Sequence, residues 1–232
     1  MRILVTGENS YAGRQFDKRM LELNSEWKID FISVRNDEWK SKDFSSYDAL
    51  YHVAAIVHQK EKSENESLYY KINRDLTYEL AVKAKSEGVK SFVFLSTMAV
   101  YGLVGEIGKD TVIYKKTKEN PHSYYGKSKL EAEVKLRSLD SIDFKIAVLR
   151  IPMIYGKECP GNYKLISRLS KITPIFPKLN NERSMIFIDH LTDIVAYIMD
   201  KKVSGVLLIR NPENINTLDI VNEIAKNQRK NE

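Results

Sequence analysis

The chain has 232 residues, 43% hydrophobic and 29% charged, enough for one sizeable α/β core beneath a soluble surface. No run of about 18 uncharged apolar residues occurs, and Met1-Arg2 leads directly into Ile3-Leu4-Val5 and a glycine turn, so neither a membrane helix nor a signal peptide is expected. The net charge of +6 is spread along the chain without a helix-turn-helix or zinc-finger pattern, so nucleic acid is not the expected partner.

Over the first 150 residues, apolar strands alternate with helices. Arg2–Thr6 reads as a first strand, followed by a glycine turn and a helix over Tyr11–Leu23. Lys28–Val34 and Ala49–Val53 read as the next two strands. A helix is expected over Leu68–Glu87, stopped by Gly88, then a strand over Ser91–Ser96. The basic segment Lys109–Lys118 reads as a solvated loop, Pro121 leads into a helix over His122–Leu136, and Phe144–Arg150 is a further strand. Each strand is almost continuously apolar, as in a sheet covered on both faces, and the alternation implies a parallel, doubly wound α/β fold.

After Arg150, prolines 152, 160, 174 and 177 break the chain into short pieces. A helix over Asp189–Lys201, a strand over Val206–Ile209 and a last helix from about Thr217 follow. The expected organisation is a dinucleotide-binding domain over 1–150 and a small, irregular lobe over 151–232, interleaved with elements returning to the sheet. The single Cys159 excludes an internal disulfide and suits a reducing cytoplasm. The histidines at 52, 58, 122 and 190 lack ligand spacing, and no metal is expected.

In doubly wound sheets, ligands bind beyond the carboxyl ends of the strands. The first such end reads Thr6-Gly7-Glu8-Asn9-Ser10-Tyr11-Ala12-Gly13 and opens a helix. Gly7 permits a tight turn, Gly13 lets helix and strand approach, and the helix N-terminus suits a pyrophosphate. Ser10 stands where the usual spacing has a middle glycine. At the end of the second strand, no carboxylate is present to hold a ribose 2′-hydroxyl. Arg35 stands there instead, either as a surface residue or as a guanidinium suited to a 2′-phosphate. Of NAD and NADP, this favours NADP.

Tyr125-Gly126-Lys127-Ser128-Lys129 opens a helix, so Tyr125 and Lys129 stand one turn apart. A neighbouring ammonium and a nicotinium charge favour the phenolate of a tyrosine that is otherwise a poor base at neutral pH. Lys129 can also hydrogen-bond the nicotinamide ribose. The pair Tyr114–Lys118 has the same spacing, but in a segment that reads as loop. Ser96 and Thr97 supply hydroxyls at the end of a central strand, one of which can hold a substrate oxygen against the phenol.

Taken together, Thr6-Gly7…Gly13, His52-Val53-Ala54-Ala55, Ser96-Thr97-Met98-Ala99-Val100-Tyr101-Gly102, Tyr125…Lys129 and Leu149-Arg150-Ile151-Pro152-Met153-Ile154-Tyr155-Gly156 resemble the extended short-chain dehydrogenase/reductase family of nucleotide-sugar epimerases, dehydratases and reductases. The resemblance implies a Rossmann domain with a small C-terminal substrate lobe, either reduced or truncated. It makes Tyr125 the acid/base, Lys129 its partner and Thr97, rather than Ser96, the catalytic hydroxyl. It places Gly7, Asn9, Ser10, Tyr11, Gly13, Arg35, Asp43, Phe44, Ala54, Ala55, Asn73, Ser96 and Pro152 at the cofactor, with Asp43 near the adenine. It places Met98, Met153, Asn162 and Arg183 at the nucleotide sugar, with Arg183 on the diphosphate.

The connection between Arg35 and Asp43 is too short for the usual helix, an abbreviation similar to that of GDP-fucose synthases. Met98-Ala99 follow Thr97 where dehydratases of the family commonly carry a carboxylate pair, so dehydration is disfavoured. Met153 replaces a common substrate-contacting asparagine and leaves the sugar open. The expected activity is NAD(P)-dependent epimerisation of a nucleotide sugar in the cytoplasm. The alternatives are an NADPH-dependent keto-sugar reductase and a non-catalytic dinucleotide-binding regulator. A homodimer formed through the Leu68–Glu87 and His122–Leu136 helices is a further implication of the resemblance.

Overall fold

The computed structural model of the chain describes residues 1–23, 25–57, 63–103, 111–161, 182–216 and 218–219. The elements run β1 (Arg2–Thr6), α1 (Tyr11–Glu22), β2 (Lys28–Ile32), β3 (Ala49–His52), α2 (Glu66–Tyr69), a π-helical segment (Tyr70–Leu76), α3 (Thr77–Ser86), β4 (Ser91–Thr97), α4 (Tyr124–Arg137) and β5 (Lys145–Ile151). They continue with β6 (Met153–Tyr155), β7 (Glu182–Arg183), β8 (Met185–Phe187), α5 (Ile188–Lys201), β9 (Gly205–Leu208) and β10 (Ile215–Asn216). None of the described helices is long and apolar enough to cross a membrane.

Among the described residues, the central sheet has the order β2-β1-β3-β4-β5-β9, and its paired strands are parallel. Alternate residues of each strand feed opposite cores. Leu4, Leu50, Phe92, Phe94 and Val148 pack with Leu80, Ala81 and Ala84 of α3 and with Ala132 and Leu136 of α4. Ile3, Val5, Tyr51, Val93 and Leu149 pack with Phe16 and Met20 of α1 and with Leu191, Val195 and Ile198 of α5. Burial on both faces is the physical reason that the strands read as unbroken apolar runs. Beyond β5, β6 pairs with β8 in parallel, and β7 pairs with β10 antiparallel.

The chain passes from β1 to β2 on one side and returns to β3 on the other, so the crevice between β1 and β3 is the topological switch point. The β2–β3 connection holds only a 3₁₀ turn, Asp37–Lys40, as its length requires. The expected helix over Leu68–Glu87 is divided by π-helical Tyr70–Leu76, which apolar spacing does not disclose. Thr77 donates its hydroxyl to the carbonyl of Asn73 at 2.9 Å, where the helix changes back to α. Strand β4 extends one residue beyond the expected end because Thr97 pairs with Ile151. The last helix, expected from about Thr217, lies outside the described residues.

Candidate active site

The turn after β1 is built by Gly7 at φ +86°, a left-handed conformation that glycine adopts without steric cost. Its N–H donates to Ile32 at 3.1 Å, and its carbonyl accepts from Ser10 N–H at 2.8 Å. Ser10 caps α1, its hydroxyl accepting from Gly13 N–H at 3.2 Å. The serine thus replaces a glycine of the usual loop by serving the helix rather than by opening the turn. A Cβ at Gly13 would lie 2.6 Å from Ser10 Oγ and 2.9 Å from Val5, so a larger residue would push the helix off the strand. A Cβ at Gly7 would lie 3.3 Å from Ala54 across the crevice. Ala54 and Ala55 are half-buried on the opposite lip, and Asn9 is exposed. A glycine turn, a helix N-terminus and two small side chains fit the pyrophosphate of a dinucleotide. The Tyr11 hydroxyl donates to the carbonyl of Lys157 at 2.8 Å, tying this loop to the lobe beyond β5.

Past β2, Arg35 is exposed. Arg14, in the first turn of α1, lays its guanidinium 4.0 Å from the centre of the Phe31 ring. No ion pair with a carboxylate is found for either arginine among the described residues. Asp43 accepts from Ser45 N–H at 2.8 Å, and that bond, with one from the Ser45 side chain, holds its carboxyl below the usual range. Phe44 differs from the expectation. Its ring is buried in the core and its N–H donates to Glu87 at 2.5 Å, so its neighbour Asp43 is the one left exposed.

Thr97 ends β4 as the cap of a 3₁₀ turn, its hydroxyl accepting from Ala99 N–H at 3.1 Å. Thr97 also hydrogen-bonds the Tyr125 phenol, and this bond lowers the phenol pKa. Burial acts in the opposite direction and dominates, pushing Tyr125 up to about 12. What lets the two meet is Gly126, a residue sequence reasoning passed over. A Cβ there would lie 2.7 Å from the carbonyl oxygen of Ala99, so only glycine lets α4 sit directly on the turn after β4. Ser123 caps this helix through Gly126 N–H at 3.0 Å. The rival pair Tyr114–Lys118 lies outside any helix, with Tyr114 exposed.

Lys129 is 1% exposed. Its ammonium donates to the Leu95 carbonyl at 2.8 Å and lies 4.3 Å from the centre of the Phe94 ring. Burial draws its pKa down to about 7, against which the field of Glu133 works. Asn73, fully buried on the π-helical segment, brackets the backbone of Ile56. Its Oδ1 accepts from the N–H at 2.9 Å and its Nδ2 donates to the carbonyl at 3.1 Å. The same Nδ2 donates to Ser128 of α4 at 3.1 Å. Asn73 therefore ties the chain just past Ala54-Ala55 to the helix that bears Tyr125.

Two buried polar clusters lie beneath. Because Thr77 donates to Asn73, its oxygen must accept from His52 Nε2–H at 2.8 Å. His52 Nδ1 then accepts the Thr6 hydroxyl at 2.6 Å. Burial, with the Lys129 charge adding to it, draws this imidazole down to about 3 and keeps it neutral. In the second cluster Glu133, one turn after Lys129, receives Ser96 Oγ at 2.5 Å and Arg150 Nη2 at 2.6 Å. Ser96, expected at the cofactor, thus turns its hydroxyl into the interior. Thr97 takes the opposite direction because successive residues of a strand alternate.

Pro152 follows Ile151, which pairs with Thr97, so it stands directly beyond the strand neighbour of Thr97. Met98 opens the 3₁₀ turn, and Met153 pairs with Met185 at the start of the β6–β8 ladder. Arg183 is exposed on β7, paired with Ile215. Asn162 lies outside the described residues.

A family model described as the NAD dependent epimerase/dehydratase family matches residues 3–215. The UDP-glucose 4-epimerase of Vibrio cholerae is 30% identical over 250 residues, covering 96% of this chain and 74% of that one. The UDP-2-acetamido-2,6-beta-L-arabino-hexul-4-ose reductase of Pseudomonas aeruginosa is 26% identical over 220 residues, 90% of this chain but only 52% of the relative. Among solved structures, the UDP-glucuronic acid 4-epimerase of Bacillus cereus in complex with NAD superposes with a TM-score of 0.79 at 23% identity, covering 97% of this chain and 82% of that one.

Proposed function

Since this chain belongs to the NAD-dependent epimerase/dehydratase family, we propose that it epimerises a nucleotide sugar by reversible oxidation of a sugar hydroxyl. The observation that carries the reading is the hydrogen bond between Thr97 and the Tyr125 phenol at the carboxyl edge of the sheet, with Lys129 one helical turn on. The glycine turn at Gly7, the capped N-terminus of α1 and the Ala54-Ala55 lip would hold the dinucleotide, which when bound supplies a hydride acceptor and donor.

Tyr125 takes the proton of the reacting hydroxyl when the sugar is oxidised and returns it when the keto sugar is reduced. Thr97 holds the substrate oxygen within reach of the phenol. Lys129 stands one helical turn after the phenol on α4, and Asn73 keeps the Ile56 loop and α4 in register. The phenol stands near 12 and the ammonium near 7, the wrong order for a base at neutral pH. The positive charge that the family cofactor brings is what would reverse it.

A second reading, keto-sugar reduction with NADPH, is favoured by Arg14 and Arg35. These are two exposed guanidiniums flanking the end of β2, where a 2′-phosphate is recognised and no carboxylate stands. UDP- and dTDP-linked hexoses and their 4-keto forms, incubated with NAD or NADPH and followed by NMR, separate the readings. Interconversion without net cofactor consumption supports epimerisation, and stoichiometric NADPH oxidation supports reduction. Bound dinucleotide with no conversion of any of these sugars would overturn both.

A further inference from the structure

We propose that Glu133 is a positioning residue for this site: its buried carboxylate docks the catalytic helix α4 onto the carboxyl ends of β4 and β5 and supplies the negative counter-charge to Lys129. Glu133 is fully buried, an environment a carboxylate occupies only when paired and hydrogen-bonded. Its Oε1 receives Ser96 Oγ at 2.5 Å and Arg150 Nε at 3.2 Å, and its Oε2 receives Arg150 Nε at 3.1 Å and Nη2 at 2.6 Å. Arg150 is itself held from three directions, with Nη1 donating to the Tyr101 hydroxyl at 2.8 Å and Nη2 pairing with Glu119 at 2.7 Å.

The partners explain the function. Ser96 immediately precedes Thr97, Arg150 stands two residues before Pro152, and Tyr101 closes the turn that Gly126 packs on. One carboxylate on α4 therefore grips the ends of both β4 and β5. It also stands four residues after Lys129, on the same helical face. Lys129 otherwise faces the Leu95 carbonyl and Phe94 ring of β4 and neutral His52 of β3, with Tyr125 one turn earlier on its own helix.

 Leu95 offers only a neutral carbonyl dipole and Phe94 a ring face, so Glu133 is the single anionic group acting on this ammonium among the described residues. Arg150, on β5, reaches the same carboxylate and competes for its charge.

The proposal rests on Tyr125 and Lys129 being the catalytic pair, and its test is read without turnover. In lysine-labelled protein free of cofactor, the Lys129 amine is titrated by NMR, its signal identified by loss in Lys129→Met. Glu133→Gln keeps the shape and a hydrogen-bond acceptor but removes the charge. The Lys129 midpoint is expected to fall by about one pH unit or more, since losing a nearby anion disfavours the ammonium. The alkaline limb of NADPH affinity is expected to move down with it. An unchanged midpoint in folded Glu133→Gln protein would overturn the proposal. Should that variant fail to fold, Glu133→Gln in an Arg150→Met background leaves no buried guanidinium without its carboxylate, since Arg137, 3.7 Å from Glu133, is exposed, and its midpoint is compared with that of Arg150→Met alone. A lower value supports the counter-charge role, and equal values refute it. Absence of turnover on every nucleotide sugar counts against the catalytic reading, while the midpoint alone decides the role of Glu133.

Discussion

Replacing Gly126 by alanine tests whether the close seating of α4 on the turn after β4 sets the Tyr125–Thr97 contact. The added Cβ would lie 2.7 Å from the Ala99 carbonyl oxygen, against the 3.4 Å at which ordinary contact begins, and 3.0 Å from Pro121 Cβ. The helix and the turn must therefore separate by about 0.7 Å, because the obstructing atom is backbone and cannot rotate away. Hydroxyl hydrogen bonds span only about 2.5–3.0 Å, so this movement is enough to break the one between Thr97 and Tyr125. Misplacing a catalytic group by about 1 Å costs on the order of 100-fold, and a loss of roughly 10- to 100-fold in kcat is expected. Stability should change less. Overpacking costs about 1–3 kcal/mol, and the gain of alanine over glycine within a helix offsets about 1 kcal/mol of it. At about 2–4 °C per kcal/mol, the fall in Tm should not exceed about 8 °C. Circular dichroism, NADPH binding by fluorescence and turnover of the substrate found for the wild type measure the three quantities. An alanine variant with wild-type turnover would refute the reasoning.

Tyr125→Phe should lower turnover by about 10²- to 10⁴-fold, the usual span for a positioned acid/base, while Tm and dinucleotide affinity hold. Turnover within a few-fold of wild type would remove Tyr125 from the chemistry. Arg35→Asp should weaken NADP binding by roughly 10- to 100-fold, the worth of a charge-assisted hydrogen bond, and leave NAD binding nearly unchanged. Equal NADP affinity by calorimetry would show that Arg35 is a surface residue. His52 ionises near 6.5 in the unfolded chain but is held down to about 3 in the fold. Between those values the unfolded state binds the extra proton, so stability should fall as pH drops below about 6.5, by up to about 1.4 kcal/mol per unit. Urea unfolding from pH 7.5 to 4.5 measures this, and His52→Gln should flatten the dependence. The same slope in that variant would assign it to other groups.

Much of the architecture was legible in the sequence because it follows from periodicity and turn chemistry. Almost continuously apolar runs at Arg2–Thr6 and Ser91–Ser96 require cover on both faces, and Gly7 with Gly13 brackets the turn from the first strand into its helix. The spacing of Tyr125 and Lys129 is likewise a local property of one helix. Less legible were the residues whose role depends on what another segment presents. Ser96 and Thr97 are chemically alike in the sequence, and strand alternation sends one to Glu133 and the other to Tyr125. Phe44 was expected beside the cofactor, yet its ring belongs to the core and its amide to Glu87.

By itself, then, the sequence determined the sheet class, the glycine turn that opens α1, and the standing of Tyr125 and Lys129 on one helix, the last two each written within about a dozen consecutive residues. Only the tertiary structure decided that Gly126 must be glycine, that His52 is neutral between Thr6 and Thr77, and that Glu133 gathers Ser96 and Arg150 under Lys129. Those contacts join residues up to 46 positions apart, and the van der Waals contact, desolvation and hydrogen-bond geometry that govern them exist only once the strands and helices are packed.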